Sequence, residues 1–157
     1  MRQLLLLALA ALVTMPCVAQ PGEEKAVLAV IDRFFAAMSA RDTAAMAQVI
    51  TRDGVLYASQ PGSGKPAHAM SHAGYLVNLA KGTGRLLERI WDPIVRVDET
   101  IASVTAPYDF HVDGSFSHCG TDVFTLVKGP NGWIIAGGAY TMRKDGCTPS
   151  PLGPIKP

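Results

Sequence analysis

The stretch IASVTAPYDFHVDGSFSHCGTDVFTLVKGPNGWIIAGGAYTMR, residues 101–143, decides the fold. Its apolar residues recur at every second position, the spacing of half-buried strands, and two turn signals divide it: Asp113-Gly114 and Gly129-Pro130-Asn131-Gly132. Residues 101–112, 115–128 and 133–143 read as consecutive strands of an antiparallel meander. A two-residue Asp-Gly turn fixes register, which pairs Val112 with Ser115 and so Asp109 with His118. His111 then falls opposite Phe116, with His118 as its diagonal neighbour. The second turn pairs Lys128 with Trp133, setting Leu126 opposite Ile135, Phe124 opposite Gly137 and Asp122 opposite Ala139.

This register sorts the side chains into two faces. One carries Asp109, His111, Phe116, His118, Asp122, Phe124, Leu126, Trp133 and Ile135; the other carries Phe110, Ser117, Cys119, Val123, Ala136, Tyr140 and Met142. Since Phe124, Leu126, Trp133 and Ile135 form the larger apolar set, the first face is expected to lie under a layer of helices. Asp109, His111, His118 and Asp122 would then line the wall or mouth of a pocket, because buried polar groups need partners or solvent. The small residues Gly120, Gly137 and Ala139 leave volume beside them.

Upstream of the meander, Val27, Val30, Ile31, Phe34, Phe35 and Met38 repeat at helical spacing within residues 23–41, with Glu23 and Glu24 at the favourable end of the dipole. Asp42 is placed to cap a shorter helix over 43–50, and Asp53-Gly54 turns the chain into a strand over 55–58. A loop rich in glycine, proline and serine follows, then a third helix over 71–81 that Gly82 ends. Residues 86–97 read as a further strand, with Pro93 and Pro107 marking bulges or edges. Helices first and a long meander after them indicate an α+β domain, the helices packed against one face of a curved antiparallel sheet.

The first residues carry a different signal. Arg2, an apolar run over 4–13 and small residues at Cys17 and Ala19 make a secretory leader of residues 1–19, cleaved after Ala19. The run is shorter than the roughly 20 residues a bilayer span requires. Pro16 disfavours acylation of Cys17. The expectation is one domain over 20–145 and a proline-rich tail over 146–157, periplasmic or secreted, with no membrane attachment after cleavage. Cleavage removes Arg2 from fourteen basic residues and leaves them equal to the thirteen acidic ones. No basic run is interleaved with aromatics, so nucleic acid is excluded as a partner class.

Two cysteines survive cleavage, Cys119 and Cys147. In an oxidising compartment a disulfide between them is the leading expectation, with two free thiols as the alternative. A bridge would staple the tail to a strand and contribute about 3 to 4 kcal/mol on the chain-entropy account.

The segments FFAAMSARDTAAMAQVITRDGVLYA and GTDVFTLVKGPNGWIIAGGAYTMR, with the strands between them, resemble the nuclear transport factor 2-like superfamily, the cone-shaped fold of ketosteroid isomerase, limonene epoxide hydrolase and the polyketide cyclases. ERIWDP, APYDFHVDGSFSHCG and GCTPSPLGP are similar to an exported bacterial branch sometimes labelled lumazine-binding. The resemblance covers about residues 23–143 and implies a small-ligand pocket and a homodimer formed through the outer sheet face. The superfamily's isomerases use a tyrosine with two acids and its epoxide hydrolases an Asp-Arg-Asp set. Neither motif can be placed here residue by residue.

Three functions therefore stand side by side. In a binding module, Tyr57, His111, Asp122, Phe124 and Trp133 would hold a small apolar or heteroaromatic molecule, oriented by Asp109 and His118. In an isomerase, cyclase or hydrolase, His118 would act as a base oriented by Asp109. In an interaction protein the pocket would be vestigial. No cofactor and no metal is called for: His68 and His72 read as surface histidines without further ligands at zinc spacing. PGSGKP lacks the phosphate-loop spacing. His118 and Cys119 point to opposite faces of a strand, which argues against a nucleophilic pair.

Overall fold

The computed structural model describes residues 21–155. The leader read over residues 1–19, with its cleavage position, lies outside the described residues. Helices α1 (Pro21–Ala40) and α2 (Thr43–Ala47) are followed by strands β1 (Ile50–Ser59) and β2 (His68–Ser71), helix α3 (His72–Lys81), and then β3 (Leu86–Ile90), β4 (Ile94–Asp98), β5 (Ile101–Val112), β6 (Ser115–Gly129) and β7 (Gly132–Thr141). The strands form one curved sheet in the order β2-β1-β7-β6-β5-β3, with β4 also pairing β5. Pairing is antiparallel throughout except between β1 and β7, which run parallel because the chain reaches β1 from the helical layer. The helices lie in the concave side, an α+β cone.

Local chemistry explains the boundaries. The Asp42 carboxylate accepts the amide of Ala45 at 2.9 Å and starts α2. Ser71 does the same for Gly74 at 3.1 Å and starts α3. Asp113 and Gly114 both take positive φ, as a tight hairpin turn of this kind requires. Residues 86–97 do not form one strand: Trp91-Asp92-Pro93 breaks them into β3 and β4, which pair successive parts of β5. Pro107 falls at the gap between those two pairings, where a missing N–H does the least harm.

The inner face of α1 buries Val27, Val30, Ile31, Phe34 and Met38 against Val104, Phe124, Leu126, Trp133 and Ile135 of the sheet. Phe34 meets Phe124 edge to face at 5.6 Å and stacks along Tyr75 of α3 at 5.8 Å. At the first turn of α1 the Glu23 carboxylate accepts from the Trp133 indole and the Lys128 ammonium, both at 2.8 Å. That contact ties the helix to the hairpin between β6 and β7.

Two bulges correct the expected register. Near the turn Val112 faces Ser115 and His111 faces Phe116, but from Phe110 onward the pairing shifts by one: Phe110 lies opposite His118 and Asp109 opposite Cys119. Ser117 is the extra residue. The Asp-Gly turn imposes one parity, whereas the apolar alternation Ala102, Val104, Ala106, Tyr108 on β5 must share the inner face with Phe124 and Leu126 on β6, which imposes the other. One additional residue reconciles them. The same happens between β6 and β7 at Ala136, so that Phe124 faces Gly138 and Asp122 faces Tyr140, not Gly137 and Ala139.

The tail is held on the outside. Cys119 and Cys147 form a disulfide with their Cα atoms 6.0 Å apart, Arg143 pairs with Cys119 as a single bridge, and Arg89 Nη1 donates to the Gly153 carbonyl at 2.9 Å.

Candidate functional site

Packing of the helices into the sheet leaves one end of the cone unfilled. A cavity of about 240 Å³ lies there, between Phe34 and Met38 of α1, Tyr75 and Leu79 of α3, and the inner positions of β3, β5, β6 and β7. Its walls are aromatic: Phe110 stacks on the His118 ring at 4.8 Å, Tyr108 meets that ring edge-on at 5.7 Å, and Tyr75, Phe124 and Tyr140 complete the lining. Asn78, which is exposed, and Met70, which is half-buried, mark the mouth beside α3.

Two carboxyls occupy this apolar space. Glu88 comes from the inner side of β3 and Asp122 from the inner side of β6, and sheet curvature sets them in the same cavity, where each acts on the other's ionisation. Burial raises Glu88 well above the usual carboxylate range, and the Asp122 charge adds to this. Burial likewise raises Asp122, to about 7. Asp122 Oδ2 is buried with no hydrogen-bond partner among the described residues. The pair therefore keeps one shared proton near neutrality, titrating as a unit.

The other polar groups follow the same physics. Burial, aided by the Lys144 charge, lowers His118, which favours a neutral imidazole. Its Nδ1 is 3.0 Å from the Ser117 hydroxyl, so the bulge residue orients the ring. Burial raises Tyr75, Tyr108 and Tyr140, with Glu88 and Asp122 reinforcing it. The Tyr108 hydroxyl donates to the Thr141 carbonyl at 2.8 Å. Arg41 reaches the wall, but its guanidinium donates to the carbonyls of Gly84 and Leu79.

Of the residues singled out in the sequence, His118, Asp122 and Phe124 line the cavity. Asp109 and His111 do not. The Ser117 bulge puts them on the opposite face, so the side-by-side placement of Asp109 and His118 is not formed. There the Asp109 carboxylate accepts both Nε (2.8 Å) and Nη2 of Arg89, with His111 Nδ1 3.6 Å away and the His111 ring edge-on to Phe116. This cluster lies beside the Arg89 contact to the tail. Trp133 is core on the α1 side, and Tyr57 is 46% exposed on the outer face. His68 sits in β2, while His72 is buried, not at the surface, with Nδ1 2.6 Å from the Thr51 carbonyl.

Residues 22–141 match the family described as "Putative lumazine-binding". The chain belongs to this family. Solved structures show that this chain of the putative lumazine-binding family has a nuclear transport factor 2-like fold: a protein of that fold from Cytophaga hutchinsonii superposes with a TM-score of 0.65 at 12% identity, over 76% of this chain and 97% of that one. A "putative dehydratase" from Streptomyces avermitilis gives 0.63 at 17% identity, over 79% and 98%. A "putative aromatic ring hydroxylase" from Novosphingobium aromaticivorans gives 0.63 at 16%, over 82% and 94%. At these identities the likeness is one of fold. No curated protein sequence matches the chain.

Glu88, Tyr108, Phe110 and Tyr140 lie outside the site residues that the sequence singles out. For Glu88 the signal was present: Leu86, Glu88 and Ile90 share one face of a short strand, and a lone acid on an apolar face needs a partner. Phe110 and Tyr140 were placed outside only because neither bulge was read.

Proposed function

We propose that this protein binds a small, flat, largely apolar molecule in the cone, held by ring contacts from Phe110, Phe124 and Tyr75 and oriented by Asp122, Glu88 and His118. The observation that carries this is the cavity itself, an aromatic-walled space that also holds two acids. The family description names lumazine, a flat bicyclic heteroaromatic, which makes it the first ligand to try. Titration calorimetry with lumazine and a panel of mono- and bicyclic heteroaromatics tests the proposal. Saturable binding that weakens in Phe124→Ala supports it; no binding across the panel overturns it.

A second reading, an isomerase, cyclase or hydrolase working by acid–base catalysis, is favoured by one observation. Asp122 is raised to about 7, the range in which a carboxyl both gives and takes a proton under physiological conditions. Turnover that persists unchanged in both Asp122→Asn and His118→Ala would remove it.

Two features complete the proposal. Export rests on the leader over residues 1–19 and fits the disulfide; N-terminal sequencing of the exported protein should begin at Gln20. A homodimer through the outer sheet face is supported by its exposed apolar side chains, Tyr57, Ile101, Val123 and Val127. Light scattering should give twice the chain mass, reverting to one chain in Val123→Glu.

A further inference from the structure

The cavity contains two acids and, among the described residues, no cation paired with either. Glu88 and Asp122 face into it, and the cations nearest in sequence or space are either bonded elsewhere or exposed. Arg41 gives its guanidinium to Gly84 and Leu79. Arg89, next to Glu88 in the chain, points through the other face of β3 to Asp109 and the Gly153 carbonyl. Arg143 and Lys144 follow the end of β7, and both are exposed. With one proton shared, the two acids keep one negative charge in an aromatic enclosure, and no protein donor reaches Asp122 Oδ2. A buried charge without a counter-ion is unfavourable. The aromatic faces of Phe34, Tyr75, Phe110 and Phe124 add a surface that attracts cations.

We infer that the ligand of this cone is a small aromatic nitrogen base, an amine or amidine bound in its protonated form, whose N–H groups fill the place facing Asp122 Oδ2 and Glu88. This rests on the binding proposal for the same site and narrows it to a charge class. The cavity is smaller than the roughly 300–1,000 Å³ of drug-sized sites, which limits the base to one or two rings. An amidinium presents two parallel N–H donors, the geometry that pairs with carboxylate oxygens. Such a cation neutralises the single charge of the pair and leaves the shared proton in place; a proton is released on binding only below about pH 7, where Asp122 must first ionise.

A series of equal size and shape isolates charge: benzamidinium as cation, benzamide as neutral molecule, benzoate as anion. Calorimetry on the full mature chain should show benzamidinium binding about tenfold or more tighter than benzamide, the worth of a charge-assisted hydrogen bond, and benzoate weakest. Benzamidinium affinity should rise by up to about tenfold per pH unit below about pH 7 and level off above it, because Asp122 is then already ionised and the pair already carries its one charge. Glu88, Asp122, His118 and the three tyrosines Tyr75, Tyr108 and Tyr140 face the bound cation, with Arg41 at the wall. Only His118 competes with the acids for that pH window, and the same profile in His118→Gln separates them.

Asp122→Asn and Glu88→Gln should each bring the ratio of benzamidinium to benzamide affinity down to about one; two variants guard against loss of folding in one. Benzamide or benzoate binding as tightly as benzamidinium would overturn the charge assignment and leave the cone a binding site. Failure of all three, with no binder in the heteroaromatic panel, would overturn both.

Discussion

Asp122 sits at an inner position of β6, only 3% exposed, and its neighbour in space is another acid. Ionising both would set two like charges together in an apolar enclosure, so the folded chain retains a proton that the unfolded chain gives up near pH 4. Because the folded pKa is the higher, the stabilising contribution is complete below about pH 4 and is lost as pH rises to about 7. Asp122→Asn keeps the shape and removes one titrating group. The variant should match the wild type near pH 4 and exceed it at pH 8 by about 1 to 4 kcal/mol, the range seen when buried charges are replaced by neutral groups. Calorimetric melting at the two pH values checks this; a wild type as stable at pH 8 as its variant would mean that the pair is not strained by ionisation.

At the scale of the element, the strands were legible in the sequence and the faces were legible only in part. Period-two alternation, the Asp113-Gly114 turn and the Asp42 cap all report local physics, and each appears where its residues indicate. The bulges at Ser117 and Ala136 are different in kind. They arise from conflict between a turn's register and the apolar parity of distant strand segments, and neither half of the conflict is visible alone. Hence Asp122 and Phe124, deep in β6, were read on the correct face, while Asp109, His111, Phe110 and Tyr140 were exchanged. Close strand contact leaves a second mark at Gly120, where an added Cβ would strike the Thr141 carbonyl that Tyr108 also bonds. Gly120→Ala should cost about 1 to 3 kcal/mol through overpacking. Gly129→Ala, in open space at the end of β6, should stay within about 0.5 kcal/mol. Urea denaturation of the pair provides the comparison, and equal midpoints would contradict the tight contact.

Across the whole molecule, the tail closes the structure by covalent and polar contacts in place of a core. Cys119–Cys147 anchors its start and Arg89 holds the Gly153 carbonyl near its end. The double variant Cys119→Ser, Cys147→Ser should lose about 3 kcal/mol of unfolding free energy and expose residues 144–155 to proteolysis, and reductant should reproduce both effects on the native chain. Tail cleavage at an equal rate with and without reductant would show that the bridge does not restrain it.

The lone surplus residue in β6 carries a consequence larger than its size. Ser117 acts as a parity switch: everything between it and the next irregularity takes its inward or outward assignment from that single insertion. Taking it into regular pairing would set Asp109 opposite His118, on one face of the sheet, without altering either amino acid. Relatives that differ by one residue at this hairpin can thus present different chemistry from nearly the same composition, and alignments of this region should be judged by strand phase before side-chain identity.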